Sequence, residues 1–231
     1  MSMTLARSDL YAILSDTHFG DGGPADDFGP TDGPQDFALA KVIDRCWQEN
    51  RTLVLAGDIF ELSQFNIFEI VRAHRMVISE IFKRAKRYAV GNHDIDLLRE
   101  TLFDLKGEPY VIEGNLWIEH GHAHDELVRH HPRLCRAVTW LGGVAERVID
   151  RDVDLWAEKV AGWFGHTGHW GANEGYLLPV IRCAAEHGCD TAVFGHTHQA
   201  LTVPTESDQY PGVKVYNAGT WTNGKQDVVL L

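Results

Sequence analysis

Five apolar runs in this chain each lead into a short segment of Asp, Asn or His, and that recurrence restricts the fold more than any bulk property. In order, the segments are Ser15-Asp16-Thr17-His18, Gly57-Asp58, Gly91-Asn92-His93-Asp94, His120-Gly121-His122 and Gly195-His196-Thr197-His198. Carboxylate, amide and imidazole groups are the hard and borderline donors that hold divalent cations. Residues that follow strands sit in loops at a sheet edge. Five such ends can therefore converge if their strands lie side by side with their ends aligned.

The runs between these segments fit that arrangement. Strands are expected at 10–15, 51–56, 87–90, 110–119, 191–194, 201–203, 213–217 and 227–231, where apolar and β-branched residues concentrate. Leu39, Ile43, Cys46 and Trp47 recur at helical spacing behind Asp36, a candidate N-cap. A second helix is expected over 65–86, with Ile67, Ile70, Val71, Ile78, Ile81 and Phe82 on one face. Strands alternating with helices imply a parallel sheet with helical crossovers. Closely spaced strands in the last third imply a second, more antiparallel sheet packed on the first. Residues 19–36, rich in Gly, Asp and Pro, read as a long loop of the kind that often carries function.

Residues 125–190 break the alternation. Val138, Leu141, Val144 and Val148 repeat helically, and so do Val153, Trp156, Val160, Trp163 and Phe164. The segment reads as a mostly helical cap inserted in a single domain spanning 1–231. Its tryptophans read as core between cap and domain, and His166 and His169 as a surface pair.

The 231 residues carry a net charge of −12, which argues against binding nucleic acid through a basic face. A phosphorylated substrate stays compatible, because bound divalent cations reverse the potential locally. Cys46, Cys135, Cys183 and Cys189 form no Cys-x-x-Cys pair and read as reduced thiols. The opening residues lack a signal-peptide core, and no run is long enough to span a membrane. A cytoplasmic protein is expected, with peripheral membrane contact left open.

Asp16 and His18 lie two residues apart, so an extended backbone would aim both at one ion. Asp58 is a candidate to bridge two ions, and Asn92 offers an amide oxygen. His120, directly after its strand, is favoured over His122 as a ligand, with His122 left to meet substrate or to support. His196 and His198 complete the set. Arg129 and Arg133, in the cap, could pair with phosphate groups.

The order and content of these motifs resemble the calcineurin-like metallophosphoesterases, over roughly the whole chain. The resemblance implies a four-layer α/β sandwich with two central mixed β-sheets and a helical cap insertion. It also implies a metal-dependent phosphoesterase that cleaves a phosphomonoester, phosphodiester or diphosphate bond through a hydroxide bridging two metals. Asp16, His18, Asp58 and His198 would bind the first ion, and Asp58, Asn92, His120 and His196 the second. His93 would face the substrate as the catalytic histidine, oriented by Asp94. Two divalent metal ions are expected, Mn²⁺ first, with Fe, Zn and Mg also suited to the donors.

Gly57-Asp58-Ile59-Phe60-Glu61 and the position of the cap are similar to the UDP-2,3-diacylglucosamine hydrolase group. That group carries Arg where this chain has His93. The substrate class therefore stays at phosphorylated small molecules or lipid-linked nucleotides. The alternative reading is a non-catalytic scaffold of the same fold, acting as a protein-interaction module. The retromer subunit that lacks the catalytic histidine is of that kind, and His93 with the full ligand set favours an enzyme.

Overall fold

The computed structural model describes residues 10–149 and 173–231, with side chains described through residue 144 in the first stretch. Two mixed sheets stack face to face with helices outside them. The first holds six strands in the order β11-β1-β2-β3-β5-β4. Its members are β1 (Tyr11–Leu14), β2 (Thr52–Ala56), β3 (Ala85–Ala89), β4 (Thr101–Leu102), β5 (Leu105–Glu108) and β11 (Val229–Leu230). The central pairs β1–β2, β2–β3 and β3–β5 are parallel. The second sheet runs β6-β7-β8-β10-β9. It is built from β6 (Tyr110–Glu113), β7 (Leu116–Glu119), β8 (Thr191–Phe194), β9 (Leu201–Ser207) and β10 (Tyr210–Asn217).

Strand alternation builds the layers. In β1, Tyr11 and Ile13 point between the sheets, where they meet Val54, Ala56, Ala89, Ile118 and Val193. Ala12 and Leu14 point outward to α1 (Pro34–Gln48) and α3 (Arg75–Arg84), among Leu39, Ile43, Ile78 and Ile81. On the far side, Trp117, Ala192, Phe194 and Val215 meet Tyr176, Val180, Ile181 and Ala184 of α6 (Glu174–Glu186). Helix, sheet, sheet, helix is the expected four-layer order. Strands buried on both faces read as continuous apolar runs, which is why they were visible in the sequence.

Several elements differ from the sequence expectation. The run at 110–119 is a hairpin, β6 and β7 antiparallel, because Gly114 takes a φ of 59° at the turn. Helix α1 starts at Pro34 with Gly33 as its cap, and Asp36 lies one turn inside. Trp47 faces solvent beneath the Arg84 guanidinium rather than joining the core. The helix expected over 65–86 is two, α2 (Ile67–Ala73) and α3, joined at His74.

That break has a cause. The His74 ring is buried, with Nε2 at 2.9 Å from Asp26 Oδ2 and Nδ1 at 3.0 Å from Asp36 Oδ1. It therefore fastens the loop after β1 to α1. Asp26 also accepts the backbone N–H groups of Gly22 and Phe28, which gives that long loop an internal frame.

In the segment expected to form a cap, the first described helices are α4 (Glu126–His130) and α5 (Pro132–Ile149). The second helical repeat of the cap, with Trp156, Trp163 and Phe164, and the pair His166 and His169 lie outside the described residues. Among the described residues, no helix is long and apolar enough to cross a membrane.

Candidate metal centre

The loops after β1, β2, β3, β7 and β8 meet at one edge of the stacked sheets. Their backbones leave the strands sharply. Asp16, His18, Asp58, His196 and His198 have φ of 51°, 47°, 49°, 70° and 55°. Residues with a Cβ avoid this left-handed region at a cost of about 1–2 kcal/mol each, and such residues cluster at functional sites. Asp16 and His18 are thus not extended, as the sequence suggested, and they converge because the chain curls at both.

The curl is held from two sides. Asp16 N–H donates to Gly57 O and His18 N–H to Asp58 O, each at 3.0 Å. Asp16 O accepts from Trp221 N–H at 3.0 Å and from Thr220 Oγ1 at 2.9 Å. The carboxylate itself is anchored, because Asp16 Oδ2 takes the Ser15 hydroxyl (2.5 Å) and the His196 N–H (3.0 Å). The last loop is tied down by Asn217, whose Nδ2 donates to Gly195 O at 3.1 Å. Glycine is required at two motif positions: a methyl group at Gly91 would collide with the Asp58 carboxylate, and one at Gly195 with Asp16.

Two groups of donors result, Asp16 with His18 and His198, and Asp58 with His120 and His196. The ligand atoms of each group lie within 4.8 Å of one another. Asp58 Oδ2 stands between them, 3.8 Å from His18 Nε2 and 2.9 Å from His120 Nε2. Asp58 Oδ1 accepts the His93 N–H at 2.8 Å.

Asp16 Oδ1, His18 Nε2, Asn92 Oδ1 and His120 Nε2 are buried yet make no hydrogen bond among the described residues. Their neighbours stand at ion-pair range but off the bonding directions. Buried polar atoms left unmatched cost on the order of 1–3 kcal/mol each. Four aimed inward together, with the Asp58 carboxylate between them, fit divalent cations as the missing partner.

The outward nitrogens of the same rings are satisfied. His18 Nδ1 meets Glu61 Oε2 at 3.0 Å, His120 Nδ1 meets Ala56 O at 3.1 Å, and His196 Nε2 meets Asp125 Oδ2 at 3.3 Å. Tyr176 Oη donates to the same Asp125 oxygen at 2.9 Å. Such outer bonds fix the ring and leave the inner nitrogen to a metal. Burial pushes the Asp58 carboxyl up, but His120 and His93 outweigh it and hold it well below the carboxylate range.

Glu61 and Asp125 are site residues that the sequence reading did not assign. Glu61 left a faint signal, three positions beyond Asp58, whereas nothing marked Asp125. Glu61 is 3% exposed, and His93 Nδ1 presses on the same oxygen that His18 holds. Burial pushes the Glu61 carboxyl up, yet His93 and His18 bring it down to about 2. In turn burial lowers His93, but Glu61 and Asp58 carry it above the ordinary imidazole value.

Glu61, then, and not Asp94, is the carboxylate beside His93. Asp94 is fully buried and accepts from Ile59 N–H (2.7 Å), Tyr88 Oη (2.5 Å) and Gly91 N–H (2.5 Å). It buckles the loop after β2 to the loop after β3. Its bonds are spent on two backbone N–H groups and the Tyr88 hydroxyl rather than on the His93 ring, so it does not fill the orienting role expected of it.

A cavity of about 330 Å³ opens beside the centre. Asn92, His93 and His122 line one side, and Arg129, Pro132 and Thr139 of the cap line the other. His122 is thus at the cavity wall, pushed down to about 3 by burial and by the neighbouring His120. Arg129 reaches the cavity. Arg133 does not line it, and its place is taken by Arg136, which is engaged with Asp96 at 2.7 and 3.0 Å.

Comparison with known proteins gives the following. A crystal structure of a conserved uncharacterized protein from Streptococcus pneumoniae, described as a predicted phosphoesterase, is similar at 13% identity with a TM-score of 0.38; the match covers 96% of this chain and 78% of that one. A crystal structure of a Vps29 single mutant from Entamoeba histolytica is similar at 14% identity with a TM-score of 0.42, over 94% of this chain and 77% of that one. No curated protein matches the sequence. The calcineurin-like phosphoesterase family matches residues 10–200, which takes in all five motifs, and the chain belongs to that family.

Proposed function

We propose that this protein is a dinuclear metal-dependent phosphoesterase. The observation that carries the reading is the set of buried, unbonded donor atoms of Asp16, His18, Asn92 and His120 aimed inward around Asp58. In this reading Asp16, His18, Asp58 and His198 hold one ion and Asp58, Asn92, His120 and His196 the other. Mn²⁺ is the proposed metal, since mixed carboxylate, amide and imidazole donors suit it. Bound there, two cations would supply an activated water and neutralise phosphoryl charge.

The chain's own residues do the rest. His93, whose pKa the neighbouring Glu61 carboxylate raises, donates a proton to the leaving oxygen or a hydrogen bond to the phosphoryl group. Glu61 fixes two rings at once, His18 through Nδ1 and His93 through Nδ1. Asp125 and Tyr176 fix His196. Arg129 stands at the cavity wall, where a second phosphate or carboxylate of the substrate would meet it. The cavity admits a phosphoryl group with a small, partly apolar leaving group, which suits a phosphorylated small molecule. The whole chain reads as one domain working in the cytoplasm, with 125–190 as an insertion that carries the cap and returns through α6 to cover the second sheet.

The test is hydrolysis of bis-p-nitrophenyl phosphate and of the monoester with Mn²⁺, beside a chelated control. Chelator-sensitive turnover is expected, and the preferred ester sets the bond class. Two bound metals with no turnover of either ester would support the scaffold reading instead.

A further inference from the structure

A second group of donors lies away from the dinuclear centre. Glu119 is the last residue of β7, and alternation sends its side chain, like that of Trp117, to the face that α6 covers. The next residue, His120, faces the centre. Glu119 is 6% exposed on a largely apolar face, where an unmatched carboxylate is costly. The structure pairs it with His124 Nε2 at 3.0 Å. Cys183, from α6, completes the group, and the carboxylate oxygen, imidazole nitrogen and thiol sulfur all lie within 4.8 Å of one another.

We propose that Glu119, His124 and Cys183 form a third cation site, for a borderline-soft divalent ion of the Zn²⁺ class. Oxygen, nitrogen and sulfur together suit such an ion better than Mg²⁺ or Mn²⁺. Zinc bonds of about 2.0–2.3 Å place ligand atoms about 3.5 Å apart, within a small side-chain adjustment of the geometry observed. His124 and Cys183 are half-buried, so an ion can enter from solvent and keep a water as its fourth ligand. Binding replaces the Cys183 thiol proton, which leaves to solvent, with a sulfur–metal bond.

Position gives the site its consequence. His124 directly precedes the cap, and Cys183 lies in the helix that leads out of it. An ion there ties the segment ends on either side of the insertion to β7, the strand that leads into His120.

Cadmium provides the test, because a cadmium–thiolate bond absorbs in the ultraviolet and the dinuclear centre contains no sulfur. Titration of the whole protein with Cd²⁺ is expected to give one saturable thiolate band. The band should vanish in Cys183→Ser, persist in Cys135→Ser, and need about tenfold or more Cd²⁺ in His124→Gln. Circular dichroism checks that each variant is folded. No band in the unaltered protein, or a band surviving in folded Cys183→Ser, would leave Glu119 and His124 as an ion pair only. Phosphoesterase activity is measured separately, so either proposal can fail without the other.

Discussion

The His74 cluster and the metal centre both hold imidazole against carboxylate out of water, yet they do different work. His74 is saturated, with Asp26 on one nitrogen and Asp36 on the other. His18 and His120 are bonded only on their outer nitrogens, and their inner ones make no hydrogen bond among the described residues. Burial alone therefore does not mark a functional histidine. What separates the two regions is an unmatched atom facing others of its kind.

The comparison can be broken by substitution, and the largest effect belongs to the bridging position. Asp58→Ala should lower kcat/KM by about 10³-fold or more and release metal, since the lost charge stabilisation is worth several kcal/mol. Metal analysis beside the bis-p-nitrophenyl phosphate assay checks both, and retained metal with retained turnover would remove Asp58 from the centre. His93→Ala should cost about 10²–10³-fold in kcat while both ions stay bound. Loss of metal and turnover together would mean that His93 is a ligand.

His74→Ala should behave oppositely. It strands two buried carboxylates and should destabilise the fold by about 3 kcal/mol in urea, while the folded fraction turns over as before. A fall in kcat of the folded fraction would erase the distinction between the regions. Glu61→Gln is the finer probe. Removing that charge lowers the His93 pKa, so activity that needs the protonated ring should be lost at a lower pH on the basic limb. An unmoved limb would assign that limb to another group.

The smallest effect is a pH window. Burial pushes His74 down, but its bonds to Asp26 and Asp36 hold it up at about 9, against an ordinary 6.5. A raised folded pKa contributes stability fully below about pH 6.5 and loses it as pH climbs through about 9. Urea midpoints of the unaltered protein should decline across that window more than those of His74→Ala.

The sequence made some of this legible and hid the rest for physical reasons. Each ligand segment follows a strand whose last residues are buried on both faces, so apolar residues and donor stand next to each other in the chain. Layer order followed from the same alternation. Partners brought together by the fold left no such mark: Glu61 meets His18 across 43 residues, and Asp125 meets His196 across 71. Asp94 misled because adjacency to His93 in sequence does not survive the turn at Gly91, whose N–H its carboxylate binds. The left-handed curl at Asp16 and His18 was equally hidden, since neither residue requires it. The helix break at His74 depends on Asp26 and Asp36, which periodicity does not register.

The grip on Asp16 by Thr220 and Trp221 has a consequence for the time at which the protein becomes able to act. A ribosome adds about 5–20 residues per second, so the segment that holds the first ligand loop emerges roughly 10–40 s after that loop does. The edge strand that zips Ala12 to Leu230 arrives later still. A nascent chain therefore carries the donors of its first loop early, but the bonds that hold the Asp16 backbone in its curl can form only once Thr220 and Trp221 have been made.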